Sequence, residues 1–239
     1  MQNAVYVVGD LKSKQCVIVD PCWDADGIVA EVERDRMIPI ALIVTHNHFD
    51  HVGGKPPAPF RSYGITVQGV KTILGKYKDI RVYVNQEDAD TFQVETGIDP
   101  ERIKATVDDE ELSLGEGGRI GLRFIHTPGH TPGAQCIQVG DGRLLTGDTL
   151  FANSCGRMDL PGGCSTAMYH TLQGKLRNFR DGTVVYPGHS YGNFFLTTIE
   201  REKRLGVLQK VTLNEWLQKL GTPSNESSTE GGCCSHRTK

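Results

Sequence analysis

Short apolar runs recur along the chain, separated by polar and glycine-rich stretches. AVYVV (4–8), CVIVD (16–20), IALIV (40–44), RVYV (81–84), RIKATV (102–107), IGLRFIH (120–126), QCIQV (135–139), RLLTG (143–147) and TVVYP (183–187) are rich in Val, Ile and aromatics and read as strands. Many are closed by Gly, Asp or Pro, residues that stop a strand and turn the chain. Helical patterns lie between some of them. Residues 25–36 place Ile28, Val29 and Val32 on one face, and 86–96, 165–179 and 195–205 read similarly. Strands interrupted by helices predict two sheets packed together with helices outside, a layered α/β arrangement. Residues 53–70 form a long Pro/Gly-rich connection, a length that inside a compact domain usually has a function. From Gly221 the sequence is small, polar and without period, which predicts a disordered tail over 221–239 and a folded unit over 1–220.

Composition narrows the class. The chain has 239 residues, 38% hydrophobic and 23% charged, which suits one soluble domain with a large core. The net charge of −3 gives no reason to expect a nucleic-acid partner. No apolar run is long enough to span a membrane, so none is expected. The opening MQNAVYVVGDL has neither a basic start nor a long apolar stretch. It predicts a cytoplasmic protein, or an organellar one if the natural chain starts earlier. The seven cysteines contain no C-x-x-C, which argues against a disulfide framework and a cysteine zinc finger.

Histidine changes the picture. Of eight in the chain, three fall within THNHFDH: His46, His48 and His51, with Asp50 among them. The cluster leaves the end of an apolar run, so side chains at i and i+2 share a face if the chain stays extended. That predicts convergence of His46, His48 and Asp50, with His51 pointing elsewhere. Three further runs end in Gly or Pro-Gly followed by a possible ligand: His130 in TPGHTPG, Asp148 in LLTGD and His189 in VVYPGH. Such turns bend the backbone sharply and present one side chain at a sheet end. Five imidazoles and two carboxylates, with no thiolate, suit zinc, iron or manganese. Seven ligands are too many for one tetrahedral ion and suit two ions with a shared ligand.

These motifs, in their order and spacing, resemble the metallo-β-lactamase fold superfamily over about residues 4–220. VIVDP also matches the superfamily, and the glyoxalase II-like branch, with its hydroxyacylglutathione hydrolases and persulfide dioxygenases, is the nearest likeness through CGRMDLPGG and YPGHSYGNFFLTTIEREKR. The resemblance implies a four-layer αββα sandwich forming a catalytic domain over 1–220, with metals at one edge between the sheets. It implies one ion on His46, His48 and His130, a second on Asp50, His51 and His189, and Asp148 bridging. Asp20 would orient a histidine from behind. Only about fifty residues follow His189, too few for the helical C-terminal domain of glyoxalase II, so the thiol carrier stays open.

The implied activity is hydrolysis of a thioester or related acyl bond in a small molecule, such as a thiol conjugate. A hydroxide on two divalent ions would attack the carbonyl, with Asp50 orienting it and accepting its proton. Substrate contacts are expected from Arg157, a planar fork for a carboxylate. Tyr191 lies beside the site, and Phe60, Arg61 and Tyr63 in the 53–70 loop would form a wall or plain cover. Two alternatives remain. A persulfide dioxygenase would use a single Fe(II) on His46, His130 and Asp148. A non-catalytic, metal-stabilised interaction domain is the other, against which the full ligand set argues.

Overall fold

A computed structural model describes residues 2–58, 60–191 and 194–220. The tail expected over 221–239 lies outside the described residues. The first sheet contains β1 (Tyr6–Gly9), β2 (Gln15–Val19), β3 (Ile38–Ile43), β4 (Arg81–Asn85) and β5 (Ile103–Thr106), in that spatial order. β1 is antiparallel to β2, and β2 through β5 run parallel. The second contains β6 (Glu111–Leu114), β7 (Ile120–His126), β8 (Gln135–Val139), β9 (Arg143–Gly147), β10 (Val184–Pro187) and β11 (Thr197–Thr198), in the order β11-β10-β9-β8-β7-β6. Its neighbours are antiparallel except β9 and β10. The helices are α1 (Ala25–Arg34), α2 (Phe49–Val52), α3 (Val70–Lys76), α4 (Gln86–Thr96), α5 (Ser165–His170), α6 (Ile199–Leu205) and α7 (Leu213–Lys219).

The period-two alternation of strands sorts apolar side chains into three cores, one between each pair of layers. In β2, Val17 and Val19 point between the sheets while Cys16 and Ile18 face α1 and α3. In β3, Ala41 and Ile43 point inward, and Leu42 joins Ile18 and Val82 on the helix side. β8 and β9 divide likewise: Ile137 and Leu145 meet Val17 and Ile43, while Cys136 and Leu144 meet Met168 and Leu172. Helix, sheet, sheet, helix is the result, as the resemblance implied. Ile199, Leu208 and Trp216 belong to the same helix-side core as Leu144 and Val185, so the chain after His189 closes that layer.

Some elements differ from the sequence-based expectation. The helix expected over 165–179 is regular only to His170 and then widens into a π-turn over Thr171–Lys175 and a tight 3-10 turn over Leu176–Asn178. The widening places the Thr171 hydroxyl on the Pro128 carbonyl and the Lys175 ammonium on the His126 carbonyl, both at 2.7 Å. The helix expected over 195–205 starts at Ile199, because Thr197 and Thr198 pair with β10 and the Thr198 hydroxyl caps Arg201. β6, α3 and α7 carry too short or too polar a pattern to have been expected. Among the described residues, Cys16, Cys22, Cys136 and Cys155 carry free thiols that are wholly or partly buried. No helix among the described residues is long and apolar enough to cross a membrane.

Candidate metal centre

Four strand ends deliver the histidines and aspartates to one rim between the sheets. β3 ends at Ile43, and the next residues are stopped by Asp20. Its carboxylate accepts from the Thr45 backbone N–H at 2.7 Å and the Thr45 hydroxyl at 2.6 Å. Asp20 sits just past β2 with φ 51°, a left-handed conformation that turns its side chain across to β3. His46 follows, buried, with Nδ1 3.1 Å from the Thr45 hydroxyl oxygen.

Beyond His48 the chain does not stay extended. It closes into the single turn α2, and this overturns the expectation that His51 points away. The turn rotates His51 inward beside Asp50. His51 is fully buried, its Nδ1 2.9 Å from Asp20 Oδ2, which leaves Nε2 facing the cluster.

The second sheet supplies the rest. His130 lies in the β7–β8 connection. The Arg157 carbonyl, 2.7 Å from His130 Nδ1, can only accept, so it fixes the proton there and turns Nε2 toward the cluster. Asp148 follows β9 after Gly147, whose φ is +48° and whose hydrogen faces Thr45 where a Cβ would collide. His189 follows β10 after Gly188, where a Cβ would lie 2.7 Å from Asp148 Oδ1.

The seven side chains thereby meet. His48 Nδ1 is 2.9 Å from His130 Nε2, and His51 Nε2 is 3.2 Å from His189 Nε2. Asp148 Oδ1 is 3.3 Å from His51 Nε2, and its Oδ2 is 3.6 Å from His130 Nε2 and 3.3 Å from His189 Nε2. Asp50 Oδ2 lies 3.3 Å from His189 Nε2. His46, His48 and His130 form one group that could hold a cation; His46, His51 and Asp148 a second; Asp50, His51 and His189 a third. Ligand atoms around a four-coordinate ion with bonds of about 2.1 Å stand about 3.4 Å apart, so the observed spacings fit. Buried His46 Nε2 has no hydrogen-bond partner among the described residues, which suits an atom meant for a cation.

Charge is distributed unevenly. Burial, with His51 next, pushes His46 well below the ordinary imidazole range, and burial pushes His48 down to about 4. Burial also opposes a proton on His51, but Asp148 and Asp20 override it and hold His51 well above its ordinary value. His189 is raised in the same way by Asp148 and Asp50. Asp50, despite its burial, is drawn down to about 2 by His189 and His51, and Asp148 falls well below the usual carboxylate range beside His51.

Three braces escaped the sequence reading. Asp88, at the start of α4 and 1% exposed, accepts from the Asn47 N–H at 3.2 Å, the Thr131 hydroxyl at 2.7 Å and the Gly133 N–H at 2.7 Å. It ties the His46–His48 loop to the His130 loop. Gln135 bonds two successive residues just past the β3 end: its Nε2 donates to the Val44 carbonyl and its N–H to the Thr45 carbonyl, both at 2.8 Å. Asn3 donates to Asp50. A buried acid one turn into a helix carries no sequence signal distinguishing it from ordinary helix-start charge.

The expected substrate residues are placed less uniformly. The Arg157 guanidinium forms a fork on Asp159 at 2.9 and 2.7 Å, both side chains two-thirds exposed; its carbonyl, not its charge, serves the site. The Tyr191 ring stacks on His189 at 4.7 Å, 10° from parallel, and is half-exposed at the mouth. Arg61 is exposed on the 60–63 turn, while the side chains of Phe60 and Tyr63 lie outside the described residues.

Comparison with known proteins follows the same lines. The family model of the metallo-beta-lactamase superfamily matches residues 1–189. The human mitochondrial persulfide dioxygenase ETHE1 is 25% identical over 218 residues, covering 90% of this chain and 75% of its own. A probable polyketide biosynthesis zinc-dependent hydrolase, BaeB, of Bacillus velezensis is 30% identical over 190 residues, 80% of this chain and 74% of its own. The solved structure of TTHA1623 in a di-iron-bound form superposes with a TM-score of 0.66 at 26% identity, covering 86% of this chain and 94% of that one.

Proposed function

The chain belongs to the metallo-beta-lactamase superfamily, and we propose that within it this protein is a metal-dependent hydrolase cleaving a thioester or related acyl bond in a small molecule. One observation carries the reading: a second, acid-bearing group of ligands stands beside the three-histidine group and shares Asp148 with it. We assign His46, His48 and His130 to one ion, Asp50, His51 and His189 to the other, and Asp148 to both. The zinc-dependent hydrolase relative supports metal-dependent hydrolysis, and the di-iron form of a similar structure supports a pair of ions. When bound, such a pair supplies Lewis acidity for a carbonyl oxygen and lowers the pKa of a coordinated water.

The chain's own groups do the remaining work. Asp50, held ionised, orients the nucleophile and accepts its proton. Asp20 holds His51 by Nδ1 and so fixes which nitrogen faces the cations. A thiolate leaves without a strong general acid, so thioester cleavage asks for none from the site. Tyr191 forms one wall of the mouth through its stack on His189.

A second reading is favoured by the human relative. A single iron on His46, His130 and Asp148 would suit a persulfide dioxygenase, to which this chain is similar over 90% of its length. Element-resolved metal analysis of protein purified without added metal, combined with thioester cleavage and oxygen uptake on glutathione persulfide, separates the two. Two ions per chain with thioester cleavage is the expected result. One iron, oxygen uptake and an intact thioester would overturn it.

A further inference from the structure

We propose that the N-terminal segment completes the acid-bearing half of the metal centre: Asn3 is a positioning residue for Asp50, and the exposed indole of Trp23 fixes the way Asn3 faces. The inference rests on the two-ion reading above.

The Asn3 amide nitrogen donates twice, to the Asp50 carbonyl at 2.9 Å and to Asp50 Oδ2 at 3.0 Å. Both contacts hold one residue, and the same nitrogen stands 3.5 Å from His51 Nε2. The orientation follows from the other end of the amide. The Trp23 indole N–H, which can only donate, lies 2.9 Å from Asn3 Oδ1. A flipped amide would set two donors against each other at Trp23 and two acceptors against each other at Asp50. Trp23 therefore selects the one orientation that holds the carboxylate.

Trp23 is itself held in an uncommon conformation. Its φ is 71°, in the left-handed region, which a bulky residue adopts only where its surroundings insist. Its N–H donates to the Gln68 carbonyl at 2.8 Å, and its ring meets Phe49, the residue before Asp50, edge-on at 6.4 Å. The ring is 43% exposed, yet its one polar group is spent inward.

The same N-terminal segment grips the second ligand of this half. The Ala4 N–H donates to the Gly188 carbonyl at 2.8 Å and the Ser190 N–H to the Gln2 carbonyl at 2.9 Å, so residues 2–4 pair with the backbone on either side of His189. Among the described residues, none of this segment is hydrogen-bonded to His46, His48 or His130. The strap thus serves one half of the site.

The test uses the full chain, stripped of metal and titrated with Zn²⁺ by calorimetry, with Asn3→Leu, Trp23→Phe and the double variant. Wild type should take two ions. Asn3→Leu should bind the second about ten- to a hundredfold more weakly, the usual effect of removing a group that orients a ligand, with the first ion unaffected. Trp23→Phe keeps an aromatic ring, though a smaller one, and removes the N–H, and should fall between wild type and Asn3→Leu. The double variant should match Asn3→Leu alone, because Trp23 acts through Asn3. Two ions in wild type with unchanged second-ion affinity in Asn3→Leu overturns this inference and leaves the two-ion reading standing. Equal loss of both ions in Trp23→Phe also overturns it, as a structural defect. A single ion in wild type sinks the two-ion reading and the inference with it.

Discussion

The two halves of the centre are made of different chemistry although they share Asp148. His46, His48 and His130 are imidazoles braced from behind by neutral or carbonyl contacts and by Asp88, which touches the loops but none of the three rings. Asp50, His51 and His189 are interleaved with carboxylates, Asp20 directly on His51 and Asp50 directly on His189. Burial, reinforced by neighbouring imidazoles, pushes His46 and His48 below the ordinary range. In the second half the carboxylates overcome burial and raise His51 and His189. A cation should therefore compete with protons more at these two imidazoles than at His46 and His48.

Asp148 is the point where the comparison can be broken outright. It faces His51 through one oxygen and His130 and His189 through the other. Asp148→Ala should abolish uptake of both ions and lower thioester turnover by more than about a hundredfold, beyond what removal of an orienting group costs. Metal analysis and kcat/KM on one sample check it. Retention of one ion at full affinity would show that the halves are independent.

The braces sharpen the contrast. Asp88→Ala leaves the Asn47 N–H, the Thr131 hydroxyl and the Gly133 N–H buried without an acceptor. At about 1 kcal/mol or more for each orphaned group, the loss is at least about 3 kcal/mol. That is a fall of roughly 6–12 °C in melting temperature for a chain this size. The first ion should also bind about ten- to a hundredfold more weakly. Asp20→Asn should weaken the second ion by a similar factor through His51, and the first to a smaller degree through Thr45 and His46. Calorimetric titration reads both ions in each variant; identical profiles would erase the distinction between the halves.

The pH dependence should differ in the same sense. A proton and a cation compete for the same imidazole nitrogen, so a group with a raised pKa resists metal up to higher pH. His51 and His189 are raised, so second-ion affinity should climb as pH rises through neutrality, with protons released on binding. His48 is depressed to about 4, so its contribution to first-ion affinity should stay flat across neutrality and fall only as pH drops toward that value. Titration in buffers of different ionisation enthalpy counts the protons. Equal release on both steps would contradict the charge distribution.

Much of this was legible in the sequence, for reasons that can be named. Strands such as β2 and β9 announce themselves because alternate residues face different cores, and the turn glycines mark where each strand stops. The seven ligand candidates stand out because histidine is scarce and follows those stops. The direction of His51 was not legible, since extended chain and the single turn α2 put it on opposite sides and only Asp20, thirty-one residues away, decides between them. Asp88 and Asn3 were invisible for the same reason: each acts on the site through contacts more than forty residues distant, and nothing in its own neighbours in sequence marks it out.

The smallest expected effect concerns Arg157, where the motif suggests more than the geometry provides. The residue sits in the segment that braces His130, but the brace is its carbonyl, a group every residue carries. The constraint on that segment belongs to Gly156, where a Cβ would lie 2.2 Å from the Asp148 carbonyl oxygen and 2.8 Å from His130 Nδ1. The guanidinium points the other way, onto Asp159, in an exposed pair that solvent screens. Arg157→Ala should therefore leave the melting temperature unchanged within error and kcat/KM on a neutral thioester within about twofold, since exposed pairs of this kind contribute little. The sensitive comparison is a thioester with a free carboxylate against its amide. A KM that rises more than about tenfold for the acid alone, as removal of a two-pronged guanidinium–carboxylate bond would cause, would mean that the fork leaves Asp159 for substrate. Arg157 would then join the mouth of the site beside Tyr191.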